Sequence, residues 1–241
     1  MLSGCDPTVD IAIVLDSSTS VTEANFRLML DFAKQIIFHA DVDTGHQRLA
    51  ALTFSSDVQV QFYLKDHPSR VSAYWAMDRV RYRFGSTNTA DALQTLRHDV
   101  FNPANGDRPD ASNIAIVITD GESNVHKDRT VKEAELLRSA GTRIYVIGIG
   151  VMDRSELAAV ATSPAGQHVF SLLTFSDLSR SLREKLSFCN EMRTLTGIGR
   201  LCGDVVEYTV LRLGSVRLWT ISTGGKYQPL PSISVSPIFV A

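Results

Sequence analysis

Asp16, Ser18 and Ser20 fall at i, i+2 and i+4 in the stretch Asp16-Ser17-Ser18-Thr19-Ser20. Thr87 and Asp120 stand in two other polar stretches, Gly85-Ser86-Thr87-Asn88-Thr89 and Thr119-Asp120-Gly121. Two carboxylates and three hydroxyls brought to one point form a set of hard oxygen donors, which suits Mg²⁺ and not zinc, whose preferred partners are His and Cys. Two anionic ligands are fewer than a closed calcium cage uses, so a cation held this way stays electrophilic. Mg²⁺ takes six oxygens in a near-octahedral array, and a place held by water is open to exchange for a carboxylate on another molecule. That is a chemistry of binding, with no group left over for breaking bonds. A Gly-x-Ser-x-Gly elbow is missing, because Gly121-Glu122-Ser123-Asn124-Val125 lacks the last glycine, and Ser18 stands where an Asp-x-Asp phosphatase loop needs a carboxylate. The six histidines show no His-x-His or His-x-x-x-His pairing and read as surface or packing residues; only His126 falls near the rim of such a site.

The elements around these residues explain how they would meet. The run Asp10 to Asp16 is short, nearly continuously apolar and β-branched, as expected of a strand buried on both faces of a parallel sheet, and Ile114 to Ile118 reads the same way. Asp16 closes the first run and Asp120 follows the second. Ligands gather at the carboxyl ends of parallel strands, so these two are expected as neighbours at the centre of a sheet, in a site facing solvent at its edge. Thr87 lies in a loop entering a helix at that same edge.

The remaining pattern alternates. Thr22 is expected to cap a helix with Phe26, Leu30, Ala33 and Ile37 on its apolar face. Arg48 to Phe54 and Val58 to Leu64 read as an antiparallel hairpin about Ser55-Ser56-Asp57. Helices are expected at 69–77, 89–97, 130–140, 154–161 and 176–188, with strands at 143–149 and 168–172. The resulting fold class is α/β: a doubly wound, mostly parallel sheet with one antiparallel edge strand and helices on both faces. Gly148-Ile149-Gly150 does not make a dinucleotide loop, because Asp153 stands at the third glycine position.

The regular part ends near residue 189, giving an expected domain over 1–189 and an unassigned tail over 190–241. Within the tail, Val205 to Leu213 and Val216 to Ile221 can pair across Gly214-Ser215. The net charge of −2, with Lys and Arg spread through the chain, lacks the basic footprint of a nucleic-acid binder. No apolar run approaches the roughly 18 residues of a membrane span.

Asp-x-Ser-x-Ser at 16 to 20, Thr87 in Gly-Ser-Thr-Asn-Thr, and Ile-Thr-Asp-Gly at 118 to 121 together resemble the metal-ion-dependent adhesion site of von Willebrand factor A domains. The similarity extends over about residues 9 to 189 and includes the strand Ile144-Tyr145-Val146-Ile147-Gly148-Ile149-Gly150. The flavour is that of the extracellular-matrix branch, such as matrilins and collagen VI-type chains. The resemblance implies that Asp16, Ser18, Ser20, Thr87 and Asp120 surround a Mg²⁺ or Mn²⁺, some directly and some through water. It further implies a non-enzymatic, extracellular adhesion module whose protein partner, collagen or another matrix protein, completes the metal shell with a Glu or Asp. A structural matrix domain that self-associates with little use of the metal is the alternative.

Three cysteines allow three pairings. In this family's architecture the start of the first strand and the end of the last helix share the edge opposite the metal, so the resemblance favours a Cys5–Cys189 disulfide, as in several members, and leaves Cys202 odd. The N-terminal residues lack the basic and then apolar order of a secretory signal. An extracellular assignment therefore carries the expectation that the sequence is a fragment.

Overall fold

In the computed structural model, which describes residues 8–150, 154–178, 207–213 and 216–222, the first strand β1 (Val9–Asp16) is buried at every position. It lies between β2 (Gln47–Phe54) and β4 (Ser112–Thr119), parallel to both. The six-stranded sheet has the order β3-β2-β1-β4-β5-β6, where β3 is Val58–Phe62, β5 is Arg143–Ile149 and β6 is Val169–Leu172. Every pairing is parallel except that of β2 with β3, which makes β3 the expected antiparallel edge.

Alternation along the central strands divides the core into two layers. Ile11, Ile13 and Leu15 of β1, with Ile114, Ile116 and Ile118 of β4, pack on one face beneath α1 (Thr22–His39) and α2 (Arg70–Asp78). Ala12, Val14, Ala115 and Val117 face the other way, where they meet α3 (Thr89–Thr95) and α4 (Lys127–Ser139). Each face is thus closed by helices, the arrangement that lets a parallel sheet be apolar on both sides. Phe26, Leu30, Ala33 and Ile37 form the buried stripe of α1 as their spacing predicts.

Local details differ from the sequence reading. Thr22 does not cap α1 with its side chain. Val21 stands at the cap position without a side-chain bond, and Thr22 takes a left-handed conformation (φ 65°). The chain turns sharply from loop to helix there, with Val21 N–H donating to the Ser18 carbonyl at 3.3 Å. α3 stops at Thr95 and passes into a π-type turn over Leu96–Val100, and α4 begins three residues before Thr130. A short helix α5 (Arg154–Val160) and a single turn α6 (Ala165–His168) lead into β6.

The chain divides into two units, Met1–Gly197 and Ile198–Ala241. In the second, β7 (Glu207–Leu213) and β8 (Val216–Ser222) pair antiparallel, with Leu213 opposite Val216. Cys5, Cys189 and Cys202, and all but the start of the helix expected over 176–188, lie outside the described residues.

Candidate metal centre

The register that aligns Leu15 with Ile118 brings the ends of β1 and β4 level, so Asp16 and Thr119 meet across the strands. The Thr119 hydroxyl donates to Asp16 Oδ2 at 2.6 Å and accepts from Gly121 N–H at 3.2 Å. Asp16 Oδ1 accepts from Ser18 N–H at 2.8 Å. Asp16 is fully buried, which corrects the expectation that the whole site faces solvent. Its carboxylate is the floor, and the exposed Ser20 and half-buried Asp120 form the rim. Burial pushes the Asp16 carboxyl up to about 6, against hydrogen bonds from Thr119 and Ser18 that favour the anion; the nearby Asp120 charge adds to the rise. Desolvation also raises Asp120, opposed by its bond from Ser20.

The first and third loops are joined directly. Ser18 Oγ and Ser20 Oγ are 3.1 Å apart, and the Ser20 hydroxyl donates to Asp120 Oδ1 at 2.8 Å. Thr87 enters from the second loop. A β-carbon placed on Gly121 would lie 3.7 Å from Ser20 Oγ and 3.8 Å from Thr87 Oγ1, so these two hydroxyls flank one small space that only a glycine leaves open. All five residues singled out by spacing therefore converge on one end of the sheet. Among the described residues no cluster of three or more His, Cys, Asp and Glu offers a competing site.

Several residues that spacing did not single out hold these loops. Asn124 Oδ1 accepts from Thr87 N–H at 2.9 Å, while Thr87's carbonyl accepts from Asn124 N–H at 3.0 Å, a reciprocal clasp between the second and third loops. Asn88 caps α3 by accepting from Asp91 N–H, which fixes Thr87 at the helix entrance. Thr19 and Gly85 exchange bonds: Thr19 N–H donates to the Gly85 carbonyl at 2.9 Å, and Gly85 N–H to Thr19 Oγ1 at 3.0 Å. Gly85 sits at φ 124°, a conformation that residues with side chains rarely adopt, and a β-carbon there would come 2.7 Å from Ser56 Oγ and 3.2 Å from Ser56 N, so a substitution is strained. Tyr82 donates its hydroxyl to the Ser18 carbonyl at 3.0 Å, and Ser17 Oγ accepts from Arg83 N–H at 2.7 Å. Thr119 had one signal in the sequence, its position beside Asp120, and Asn124 had only its place in the same loop, three residues after Gly121. His126 is exposed at the cap position of α4, in a left-handed conformation.

The family model for the von Willebrand factor type A domain matches residues 10–185. The chain is 28% identical over 201 residues to the collagen alpha-1(XII) chain of Notophthalmus viridescens, covering 81% of this chain and 21% of that protein. It is 31% identical over 187 residues to matrilin-3 of Gallus gallus (75% and 40%) and 30% identical over 174 residues to cochlin of Cavia porcellus (72% and 31%). The chain thus spans well under half the length of each of these relatives. Among solved structures, proximal thread matrix protein 1 from the mussel byssus superposes with a TM-score of 0.71 at 27% identity, covering 77% of this chain and 49% of that one. A second structure of that protein, with a zinc-occupied MIDAS motif, gives 0.70 at the same identity (77% and 48%). No helix among the described residues is long and apolar enough to cross a membrane. The relatives are secreted matrix proteins, and the chain shares their extracellular assignment. The chain belongs to the von Willebrand factor type A domain family, in its extracellular-matrix branch.

Proposed function

We propose that this chain is a cation-dependent protein-binding module in which Asp16, Ser18, Ser20, Thr87 and Asp120 hold one divalent cation, Mg²⁺ or Mn²⁺. The observation that carries this reading is the meeting of three loops at Gly121, where the hydroxyls of Ser20 and Thr87 border a gap beside the Asp120 carboxylate. The donors are all oxygens and only two are anionic, which fits a hard cation and leaves it electrophilic. When bound, such a cation supplies a Lewis-acidic anchor for a carboxylate of a partner protein. Asp16 holds its place through Thr119, and the Asn124 clasp keeps Thr87 from swinging away. In the mussel protein the MIDAS motif is occupied by zinc, so zinc belongs beside Mg²⁺ and Mn²⁺ in the metal titrations. The hydroxyls and carboxylates of these five residues are all taken up as donors to the cation in this reading, which is that of a binder.

The partner in this reading is a matrix protein presenting Glu or Asp, collagen among them. Binding of the full chain to immobilised collagen fibrils, measured in Mg²⁺, in chelator and with Asp120→Ala, tests it. Retention dependent on both the cation and Asp120 supports the reading; retention indifferent to both contradicts it.

Self-association is the second reading, favoured by one surface. Val71, Tyr74 and Trp75 of α2 stand exposed at helical spacing, Trp75 at 53%, and Arg70 beside them donates to the carbonyl of the exposed Phe38 on α1 at 3.3 Å. Sedimentation equilibrium of wild type and Trp75→Glu in chelator distinguishes the two: a dimer lost in the variant supports self-association, and a monomer throughout removes it.

A further inference from the structure

A groove of about 670 Å³ lies between α1, with Phe26 and Leu30 on one wall, and the segment after α2, with Val80, Arg81, Tyr82 and Phe84 on the other. It shares structure with the candidate metal centre. Tyr82 is tied to the Ser18 carbonyl, and Phe84 directly precedes the Gly85 that exchanges hydrogen bonds with Thr19. Three rings step outward along it: Phe26 to Tyr82 at 5.6 Å between centroids, then Tyr82 to Phe84 at 6.5 Å.

Phe84 is unfavourable for folding on two counts. It is 70% exposed, and it is held at φ 48°, a region that bulky side chains rarely adopt. Neither an exposed aromatic ring nor a strained backbone serves the core, and together they mark a surface kept for contact.

The charges lining the groove are unevenly matched. Glu23 pairs with Arg27 at 2.6 Å, and Asp31 and Asp78 both pair with Lys34 at 2.8 Å. Arg81, also exposed, has no ion pair or hydrogen bond among the described residues. The groove therefore offers an aromatic wall and one uncommitted cation next to the place where a partner's carboxylate would meet the metal.

We infer that this groove is the specificity subsite for the partner segment: it takes a stretch in which the metal-binding Glu or Asp is followed, within a few residues, by an apolar side chain against Tyr82 and Phe84 and then by a second carboxylate paired with Arg81. The inference rests on the metal-anchored reading of the three-loop junction. The metal alone would bind any exposed acid; the groove selects among acids by the side chains next along the partner's chain.

The test uses blocked, fluorescently labelled peptides carrying an anchoring Glu, a Leu and a second Glu, with two to four residues between the acids. Matched peptides replace the second Glu by Gln or the Leu by Ser. Anisotropy is read on the full chain in Mg²⁺, for wild type, Arg81→Glu and Phe84→Ser, and each protein's Mg²⁺ affinity is measured separately by calorimetry. An exposed ion pair contributes up to about 1 kcal/mol, so wild type should prefer the diacid over its Gln counterpart by up to about fivefold at the best spacing. Arg81→Glu should abolish or reverse that preference, and Phe84→Ser should erase the distinction between Leu and Ser, both with unchanged Mg²⁺ affinity. Equal binding of all peptides by a wild type that binds Mg²⁺ overturns the subsite, as does a diacid preference that survives Arg81→Glu. A wild type that shows the preference equally in chelator keeps the subsite and removes the metal anchor. A chain dimer that the peptides compete apart replaces the partner segment with a second copy and overturns the inference.

Discussion

The Ser20 hydroxyl donates to the Asp120 carboxylate at 2.8 Å across 100 positions of sequence, joining the loop after β1 to the loop after β4. Gly121 follows at once, and its missing side chain leaves the gap between Ser20 and Thr87. Gly121→Ala should be nearly silent in stability, because a methyl group there makes only ordinary van der Waals contacts. It should nevertheless weaken Mg²⁺ binding by filling the space that the donors share. Thermal melts and calorimetry on the same variant check the separation; wild-type Mg²⁺ affinity in Gly121→Ala would show that the gap is not where the cation sits.

Thr119 supports Asp16 from below. Thr119→Val keeps the volume and removes a donor from a buried carboxylate, which should destabilise the fold by about 1–3 kcal/mol. The Thr119 bond favours the charged form of Asp16, so the loss should be larger at pH 8 than at pH 5. Urea titrations at the two pH values measure this; equal losses would mean that Asp16 carries the same charge at both.

Asp16 also sets a pH dependence. Its folded-state pKa of about 6 lies above the ordinary carboxylate value of 3.8, so between those values the folded metal-free chain binds more protons than the unfolded one. Stability drawn from this group is therefore complete below pH 4 and is lost as the pH rises through about 6. Mg²⁺ needs the deprotonated carboxylate, so its affinity should rise over the same window and its binding should release protons. Denaturation curves in chelator and in Mg²⁺ from pH 4 to 7.5 should diverge as the pH increases. Curves that stay parallel would place the metal elsewhere.

The two cysteines flanking the domain give a covalent prediction. We propose a Cys5–Cys189 disulfide, the pairing that the family resemblance implies. Peptide mapping of the oxidised chain without reductant should recover this pair, with Cys202 left out. Recovery of Cys202 in a bond with either one would break the assignment.

Much of this was legible because it depends on local pattern. The β-branched runs of β1 and β4, apolar at nearly every position, are what a doubly covered parallel strand requires, and the i, i+4, i+7 spacing of Phe26, Leu30 and Ala33 is the α1 stripe itself. The meeting of Ser18, Ser20, Thr87 and Asp120 with Asp16 at one end of the sheet was legible too, because parallel strands bring their following loops to one edge. What escaped depends on contacts between distant segments. Asp16 reads as the strand end of a site facing solvent, and its complete burial is seen only once β4 brings Thr119 beside it. Thr22 has the composition of a helix cap, but the turn from Ser18 to Val21 places it one position too late and left-handed. Tyr82 and Phe84 are two residues apart, yet one is fixed to the Ser18 carbonyl and the other is left exposed, a division that only the fold displays.

A cation at the three-loop junction is the centre of the proposed mechanism, and calorimetric titration of Mg²⁺ into the metal-stripped chain tests it most directly, with Asp120→Ala alongside. The prediction is saturable binding of one Mg²⁺ per chain, abolished in Asp120→Ala while its thermal melt stays cooperative. Absence of saturable binding to a folded wild-type chain, or equal binding by the variant, would contradict it.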